Sequence, residues 1–192
     1  MAAHEITDAD ISRGCRQNNP DAWRHLIRTY TPMVYRMSLR MLRDRQEAED
    51  ASQEVFLQVS RSITSHDPTR PLSPWLARIT YNSCLKRLAR IKVTAEKELE
   101  LYENDLPDED CPVTPESHMD NKQLSEKVTG VLNRLPALDR ALVFMRYREG
   151  FSDSEISEST NMPVGTVKTR LHRARGRLKK WLAPLMKEVS VL

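Results

Sequence analysis

The sequence predicts an all-α protein, built of two small helical domains joined by a flexible acidic linker. Apolar residues recur at spacings of three and four, and no convincing alternation of apolar and polar residues predicts a strand. The length of 192 residues allows two small domains, and an apolar share of 39% suits thin helical layers. Charge divides the chain as well. Residues 1–94 carry 15 basic and 10 acidic side chains, and residues 121–192 carry 14 basic and seven acidic ones. Between them, residues 95–120 carry one basic and 10 acidic side chains, so an acidic segment joins two basic ones.

The composition excludes several classes of protein. Three cysteines are too few for a disulfide scaffold, and five glycines are too few for a collagen-like chain. The longest uninterrupted apolar stretch, Ala141 to Met145, is far too short to span a membrane. The first ten residues lack the apolar core of a secretion signal, so we expect a cytoplasmic protein.

In the first domain, 1–94, three pairs of residues predict helix starts. Asn19 before Pro20 is a cap followed by a first-turn proline, and Thr31-Pro32 can start a second helix. Asp44 with Glu47 predicts a capping box, and the helix that it opens runs to about Ile63.

Helical spacing gives this third helix a buried stripe of Ala48, Ala51, Val55 and Val59. A second face of the same helix holds Asp50, Gln53, Glu54 and Leu57, flanked by Phe56. Composition alone favours an ordinary solvent-exposed surface, without a binding role, for that face.

A proline-bearing loop, 64–73, is followed by a helix that Ser73-Pro74 caps and that we expect to be about 18 residues long. Residues spaced four apart form one stripe on it, namely Arg78, Asn82, Lys86 and Arg90, with Tyr81 nearby. Cations can hold phosphates, an amide can read a base edge, and an aromatic ring can stack on an unpaired base. The stripe therefore suits nucleic acid, and a basic solvated face is the alternative.

The second domain, 121–192, ends in a predicted helix-turn-helix. Ser152 and Glu155 form a capping box that opens a short helix, Asn161 to Pro163 makes a tight turn, and a longer helix starts near Val164. The outward face of that last helix bears Lys168, Thr169, His172, Arg173 and Arg175. We favour binding of this face in the major groove of DNA over a solvated face or a membrane-surface helix.

These residues resemble the extracytoplasmic-function group of bacterial sigma factors, the small sigma-70-type subunits of RNA polymerase. In the first domain the resemblance is carried by Asp21-Ala22-Trp23, Val34-Tyr35, the run from Ala48 to Leu57, Trp75 to Ile79, and Asn82. In the second domain it is carried by Leu135-Pro136, Glu149 to Ser152, Glu155-Ile156, and the run from Pro163 to Arg175. It covers the chain except for the N-terminus and the linker, 95–120.

The resemblance implies a role for each surface. A docking face for the clamp of the polymerase largest subunit would consist of Asp50, Gln53, Glu54, Phe56 and Leu57. The loop 64–73 would capture a base flipped from the melted minus-ten element, and that element would be bound by Arg70, Trp75, Arg78, Tyr81, Asn82 and Lys86. The minus-35 element would be bound by Lys168, Thr169, Arg170, His172 and Arg173. The implied partners are core RNA polymerase, promoter DNA and an anti-sigma factor, which in this family is often membrane-anchored.

Two other classes of function stay open on the residues alone. A helix-turn-helix regulator that binds duplex DNA without polymerase would explain 121–192, but it leaves the Asp50–Leu57 face and residues 64–92 without a purpose. A metal-dependent nuclease is disfavoured, because the five histidines are scattered and Cys15, Cys84 and Cys111 lack a paired metal spacing. We therefore expect no catalytic residue, metal or cofactor, and we expect buried or idle cysteines rather than a redox switch.

Overall fold

The computed structural model describes residues 6–99 and 119–189, and every regular element in those two ranges is a helix. The α-helices are α1 Asp8–Arg16, α2 Pro20–Leu42, α3 Arg45–Ser62, α4 Leu72–Leu99, α5 Met119–Asn133, α6 Ala137–Tyr147, α7 Asp153–Thr160 and α8 Val164–Val189, and a 3-10 turn, Ile63–Ser65, follows α3. The all-α prediction is confirmed. Helices α4 and α5 enter the predicted linker from its two sides, and residues 100–118 lie outside the described residues.

Short-range capping explains where the helices begin. The side chain of Asn19 accepts a hydrogen bond from the amide of Asp21, and Asp44 accepts one from the amide of Glu47. Ser152 and Glu155 form the full reciprocal capping box at α7. Because these contacts span two or three residues, the sequence predicted all three starts.

The prediction that a helix starts at Thr31-Pro32 is wrong, because α2 runs through Pro32 without a break. A proline inside a helix leaves the carbonyl four residues earlier, here that of Arg28, without its amide donor. Pro32 and Arg28 are both exposed, so water is available to that carbonyl, while Met33 and Val34 are buried in the core beside them. Burial of the neighbouring apolar side chains outweighs the lost hydrogen bond.

The first helical unit is built on α2, α3 and α4, which pack against one another. The predicted stripe of α3 is confirmed, since Ala48, Ala51, Val55 and Val59 are fully buried. Helix α4 starts at Leu72, one residue before the predicted cap, and runs for 28 residues instead of about 18. Helix α1 crosses α2 closely at Gly14, where a Cβ atom would lie 2.5 Å from the Cβ of Ala22.

The second unit contains the predicted helix-turn-helix, with α7 and α8 joined by a turn in which Asn161 adopts a left-handed φ of 55°. Its core includes Leu142, Met145, Ile156, Val167 and Leu171, all buried. None of the helices within residues 6–99 and 119–189 has a stretch both long and apolar enough to cross a bilayer.

The two units pack against each other, with α4 on α7 and α2 on α6, so that their cores form one continuous cluster. Arg140 of α6, which is 7% exposed, donates to the carbonyl oxygens of Arg40 and Met41 at the end of α2. It also donates to the carbonyls of Asn133 and Leu135 in its own unit. Burial, reinforced by the nearby Arg43 and Arg40, lowers the pKa of Arg140 to about 10.

A second set of contacts joins α7 to the start of α4. The hydroxyl of Ser159 donates to the carbonyl oxygen of Pro74 at 2.9 Å, and Arg70 pairs with Glu158 at 3.0 Å. The Arg70–Glu158 pair is exposed on both sides, so it contributes little compared with the buried contacts around it.

Candidate nucleic-acid interface

The polar stripe predicted on α4 is an exposed face, since Arg78, Asn82, Lys86 and Arg90 are all accessible to solvent. Trp75 together with Arg78, Asn82 and Lys86 lines a groove of about 620 Å³, whose opposite wall comes from Gln58 and Ser62 of α3. Within the described residues, the side chains of Arg78, Asn82 and Lys86 have no protein partner in a hydrogen bond or ion pair. Their donors are therefore available to an anionic ligand such as a phosphate backbone.

A second cavity, of about 540 Å³, adjoins this groove at the loop between α3 and α4. It is lined by His66, Asp67, Arg70, Pro71, Trp75 and Arg78 from the first unit, and by Glu155 and Glu158 of α7 from the second. The ring of His66 lies 5.1 Å from that of Trp75, tilted by 54°. The structure thus brings five of the six predicted minus-ten residues to two adjoining cavities that share Trp75 and Arg78.

The sixth residue, Tyr81, lies elsewhere. It is 1% exposed, and it belongs to the face of α4 that also buries Ala77 and Cys84 in the core. Burial raises the pKa of its hydroxyl. In the packing seen here Tyr81 cannot stack on a base, and its predicted contact with the minus-ten element stays a prediction.

The predicted docking face of α3 is a continuous but uneven surface. Gln53 and Leu57 are exposed, Leu57 by 59%, whereas Phe56 is half-buried against the core. Asp50, also half-buried, accepts a hydrogen bond from the side chain of Gln46 at 3.4 Å. Glu54 accepts from Arg87 of α4 at 3.2 Å, so part of its charge already serves the packing of α3 on α4.

On α8 the predicted minus-35 residues divide into two groups. Lys168, Thr169, His172 and Arg173 are exposed on one side of the helix. Arg170 is half-buried and pairs with Asp139 of α6 at 2.8 Å, so it holds α8 on α6. Thr169, Arg170 and Arg173 border a groove of about 510 Å³, which lies between α8 and the start of α6.

Comparison with known proteins identifies the family of this chain. The protein family described as "Sigma-70 region 2" matches residues 26–93, and the one described as "Sigma-70, region 4" matches residues 125–178. The chain is 33% identical over 178 residues to the ECF RNA polymerase sigma factor SigW of Bacillus subtilis, covering 88% of this chain and 94% of that relative. This chain belongs to the extracytoplasmic-function sigma factors. It is therefore a transcription initiation factor that directs RNA polymerase.

Other relatives of this sigma factor support the same family assignment. It is 30% identical over 188 residues to the RNA polymerase sigma-H factor of Pseudomonas aeruginosa, covering 94% of this chain and 96% of that one. Among solved structures, its fold is similar to the sigma factor RpoE of Bartonella quintana, determined in complex with the anti-sigma factor NepR. That likeness has a TM-score of 0.69 at 19% identity, and it covers 83% of this chain and 96% of the other.

Sequence reasoning missed a group of side chains on α1 of this sigma factor. Asp8, Ser12 and Arg16 all contact the segment from Thr64 to Leu72. They lie four residues apart, so they share one face of a helix, and this spacing was the available signal. Their partners are 48 to 64 residues away in the sequence, so the spacing alone could not identify them.

The cysteines and histidines of this sigma factor form no recognisable reaction centre in the part of the chain that the structure describes. Those residues contain no group of three or more His, Cys, Asp and Glu able to hold a metal ion. Cys15 and Cys84 are buried, and burial raises the pKa of each thiol to about 11, which opposes formation of a reactive thiolate. Cys111 lies outside the described residues.

Proposed function

We propose that this sigma factor docks on the clamp of core RNA polymerase and opens the minus-ten element by capturing one flipped base beside the loop 64–73. The observation that carries this proposal is the pair of adjoining cavities on α4. One combines the Trp75 ring with the loop, and the other continues along the solvent-exposed donors of Arg78, Asn82 and Lys86.

The energetics of melting explain why both cavities are needed. Extruding a base costs a few kcal/mol of lost stacking and pairing. A pocket that holds the extruded base recovers part of that cost and can select among bases. Cations along the neighbouring groove hold the exposed strand in a salt-dependent way, independent of its sequence.

In this proposal the remaining surfaces position the polymerase. Lys168, Thr169, His172 and Arg173 of α8 contact the minus-35 element, and the α3 face around Gln53 and Leu57 contacts the clamp. The chain itself supplies no catalytic residue and no cofactor, and RNA synthesis belongs to the core enzyme. The partners are core polymerase, promoter DNA and an anti-sigma factor, the last by analogy with the RpoE–NepR complex. The site of action is the cytoplasm.

The test is in vitro transcription with core RNA polymerase and a library of genomic promoter fragments. We expect defined start sites that require this sigma factor, with thymines of the minus-ten element becoming reactive to permanganate. A helix-turn-helix regulator would instead bind its operators tightly without polymerase in a mobility-shift assay and would give no start sites.

Substitution of a single arginine sharpens the test of α8. Arg173→Ala should lower promoter affinity of the holoenzyme by about 1–3 kcal/mol, as expected for loss of one DNA contact. Arg24→Ala is the matched control, because Arg24 is an exposed arginine on α2 that pairs with Asp21, three residues earlier on the same helix. Equal transcription by both variants at limiting holoenzyme would contradict the assigned role of Arg173.

A further inference from the structure

We propose that α1 positions the base-capture loop, with Ser12 and Arg16 holding the loop 64–73 in the conformation that accepts a flipped base. The inference rests on the proposed function, and it adds a positioning role for a helix that precedes the matched region 2 segment, which begins at residue 26. Ser12 and Arg16 would act through the loop and would not touch DNA themselves.

The centre of the loop is held by a buried polar chain. The hydroxyl of Ser12 lies 2.9 Å from Nδ1 of His66, and Nε2 of His66 lies 3.4 Å from the carbonyl oxygen of Pro71. Ser12 is fully buried, and His66 is 2% exposed. A neutral imidazole satisfies both contacts when Ser12 donates to Nδ1 and Nε2–H donates to Pro71. One serine of α1 thereby fixes the ring of His66, and that ring in turn reaches across the loop.

The two ends of the loop are held by charged side chains of α1. The guanidinium of Arg16 donates to the carbonyl oxygens of Thr64, at 3.1 Å, and of His66. Asp8 accepts a hydrogen bond from the amide of Leu72 at 2.8 Å. Leu72 is the first residue of α4, and amides at the start of a helix have no partner within it. The loop is thus tied to α1 at its beginning, middle and end.

These ties determine the shape of the proposed capture site. His66 and Trp75 contribute neighbouring rings to the cavity wall, and Arg70 and Pro71 lie between them in the chain. Without the ties the loop would have to be ordered when the base binds, and that ordering reduces affinity. A loop that is already ordered holds the wall in one shape, so it can distinguish one base from another.

The experiment compares variants on α1 in holoenzyme reconstituted with core polymerase. The templates carry each of the four bases in turn at every position of the minus-ten element. Open-complex formation is followed by permanganate reactivity and by the fluorescence of 2-aminopurine placed at the preferred position. Arg16→Ala and Ser12→Ala are the test variants. Arg13→Ala is the matched control, since Arg13 is another exposed arginine of α1 and pairs with Asp10 on its own helix.

We expect Arg16→Ala and Ser12→Ala to reduce discrimination between the preferred and the other bases by about tenfold, the size of effect that loss of one or two hydrogen bonds produces. Affinity for core polymerase and for duplex minus-35 DNA should stay unchanged in both. Ser12→Thr, which keeps the hydroxyl, should restore discrimination, and Arg13→Ala should match the unsubstituted protein.

Two results would overturn the proposal. One is wild-type base discrimination in both test variants. The other is a loss of polymerase affinity in step with the loss of discrimination, which would mean that α1 only supports the fold. Failure of the unsubstituted protein to open any template would instead remove the proposed function.

Discussion

His66 is a buried histidine whose protonation should be linked to stability. Its pKa lies below the ordinary value near 6.5, first because burial disfavours the charged ring and then because Arg16 is nearby. The carbonyl of Pro71 and the carboxylates of Asp8 and Asp67 act in the opposite direction without cancelling this effect. The unfolded chain therefore binds a proton at a pH where the folded chain does not.

The free energy of unfolding should consequently be unaffected by His66 above pH 6.5 and should fall as the pH drops through the folded-state pKa. Urea unfolding measured at intervals from pH 7.5 to pH 5 would show this decline. His66→Gln should reduce its slope. The same slope in His66→Gln as in the unsubstituted protein would show that His66 does not carry the effect.

Individual residues were predictable where their role depends on one face of one helix. Arg78, Asn82 and Lys86 are four apart, and this spacing was enough to place them together on an exposed surface. Tyr81 lies one residue before Asn82, about 100° around the helix, and there the core covers it. Ser12 could not be linked to His66 from the sequence, because the link depends on how α1 packs beside the loop.

At the scale of elements, the docking face of α3 gives a direct test of polymerase binding. Replacing Gln53 and Leu57 together by Ala should weaken the affinity for core polymerase by about tenfold, because Leu57 loses apolar area that the clamp would bury. Stability should hardly change, since both side chains are exposed. Competition binding with a labelled sigma factor measures the affinity, and urea unfolding measures the stability.

Gln17→Ala is the control for this pair, because Gln17 is an exposed glutamine at the end of α1 whose side chain makes no hydrogen bond within the described residues. Unchanged polymerase affinity in the Gln53/Leu57 variant would remove the docking role from α3. A lower unfolding midpoint would contradict the exposure of its two side chains.

Helix boundaries show which elements a sequence can specify. Capping residues act over two or three positions, so the starts at Asn19, Asp44 and Ser152 were predicted correctly. Pro32 misled the prediction, because its local preference for a helix start competes with burial of the residues beside it. Only the packing of α2 on its neighbours decides that competition.

At the scale of the whole molecule, contact between the two units should oppose promoter binding. In this arrangement Glu155 and Glu158 of α7 line the same cavity as Arg70 and Trp75. Negative charge at that place repels a phosphate backbone, and α7 occupies space beside the loop. Under the proposed function, we therefore expect α7 to leave α4 when a promoter is bound through both units.

Arg140 and Glu158 should contribute very differently to this contact. Arg140→Ala leaves the carbonyls of Arg40 and Met41 without their side-chain donor, and the buried Met41 carbonyl alone costs about 1–3 kcal/mol when it is unsatisfied. Glu158→Ala removes an exposed ion pair worth about 0–1 kcal/mol. The buried guanidinium should therefore hold the units together more strongly than the visible salt bridge.

Small-angle X-ray scattering of the free protein can compare the two variants. The radius of gyration should increase for Arg140→Ala and stay nearly constant for Glu158→Ala. Arg140→Ala should also bind a forked minus-ten oligonucleotide more tightly without polymerase. If the two variants cannot be distinguished by scattering, Arg140 is not the main link between the units.

The sequence predicted two helical units but not their contact. Charge and prolines mark a boundary along the chain, and those signals are local. The contact joins apolar residues of both units in one buried cluster, and their periodicity is the same whether they face their own unit or the other. Arg140 likewise resembles a surface cation in the sequence, although four carbonyl oxygens surround its guanidinium.

The crossing of α1 over α2 at Gly14 has a consequence for inherited variation. A methyl group there would lie 2.5 Å from the Cβ of Ala22, so the two helices would have to separate. Ser12 and Arg16 lie two residues to either side of Gly14 on α1, so a shift of α1 should also disturb their contacts with the loop 64–73. Under the proposed function, an uncharged substitution at Gly14 should therefore alter which promoters the holoenzyme opens.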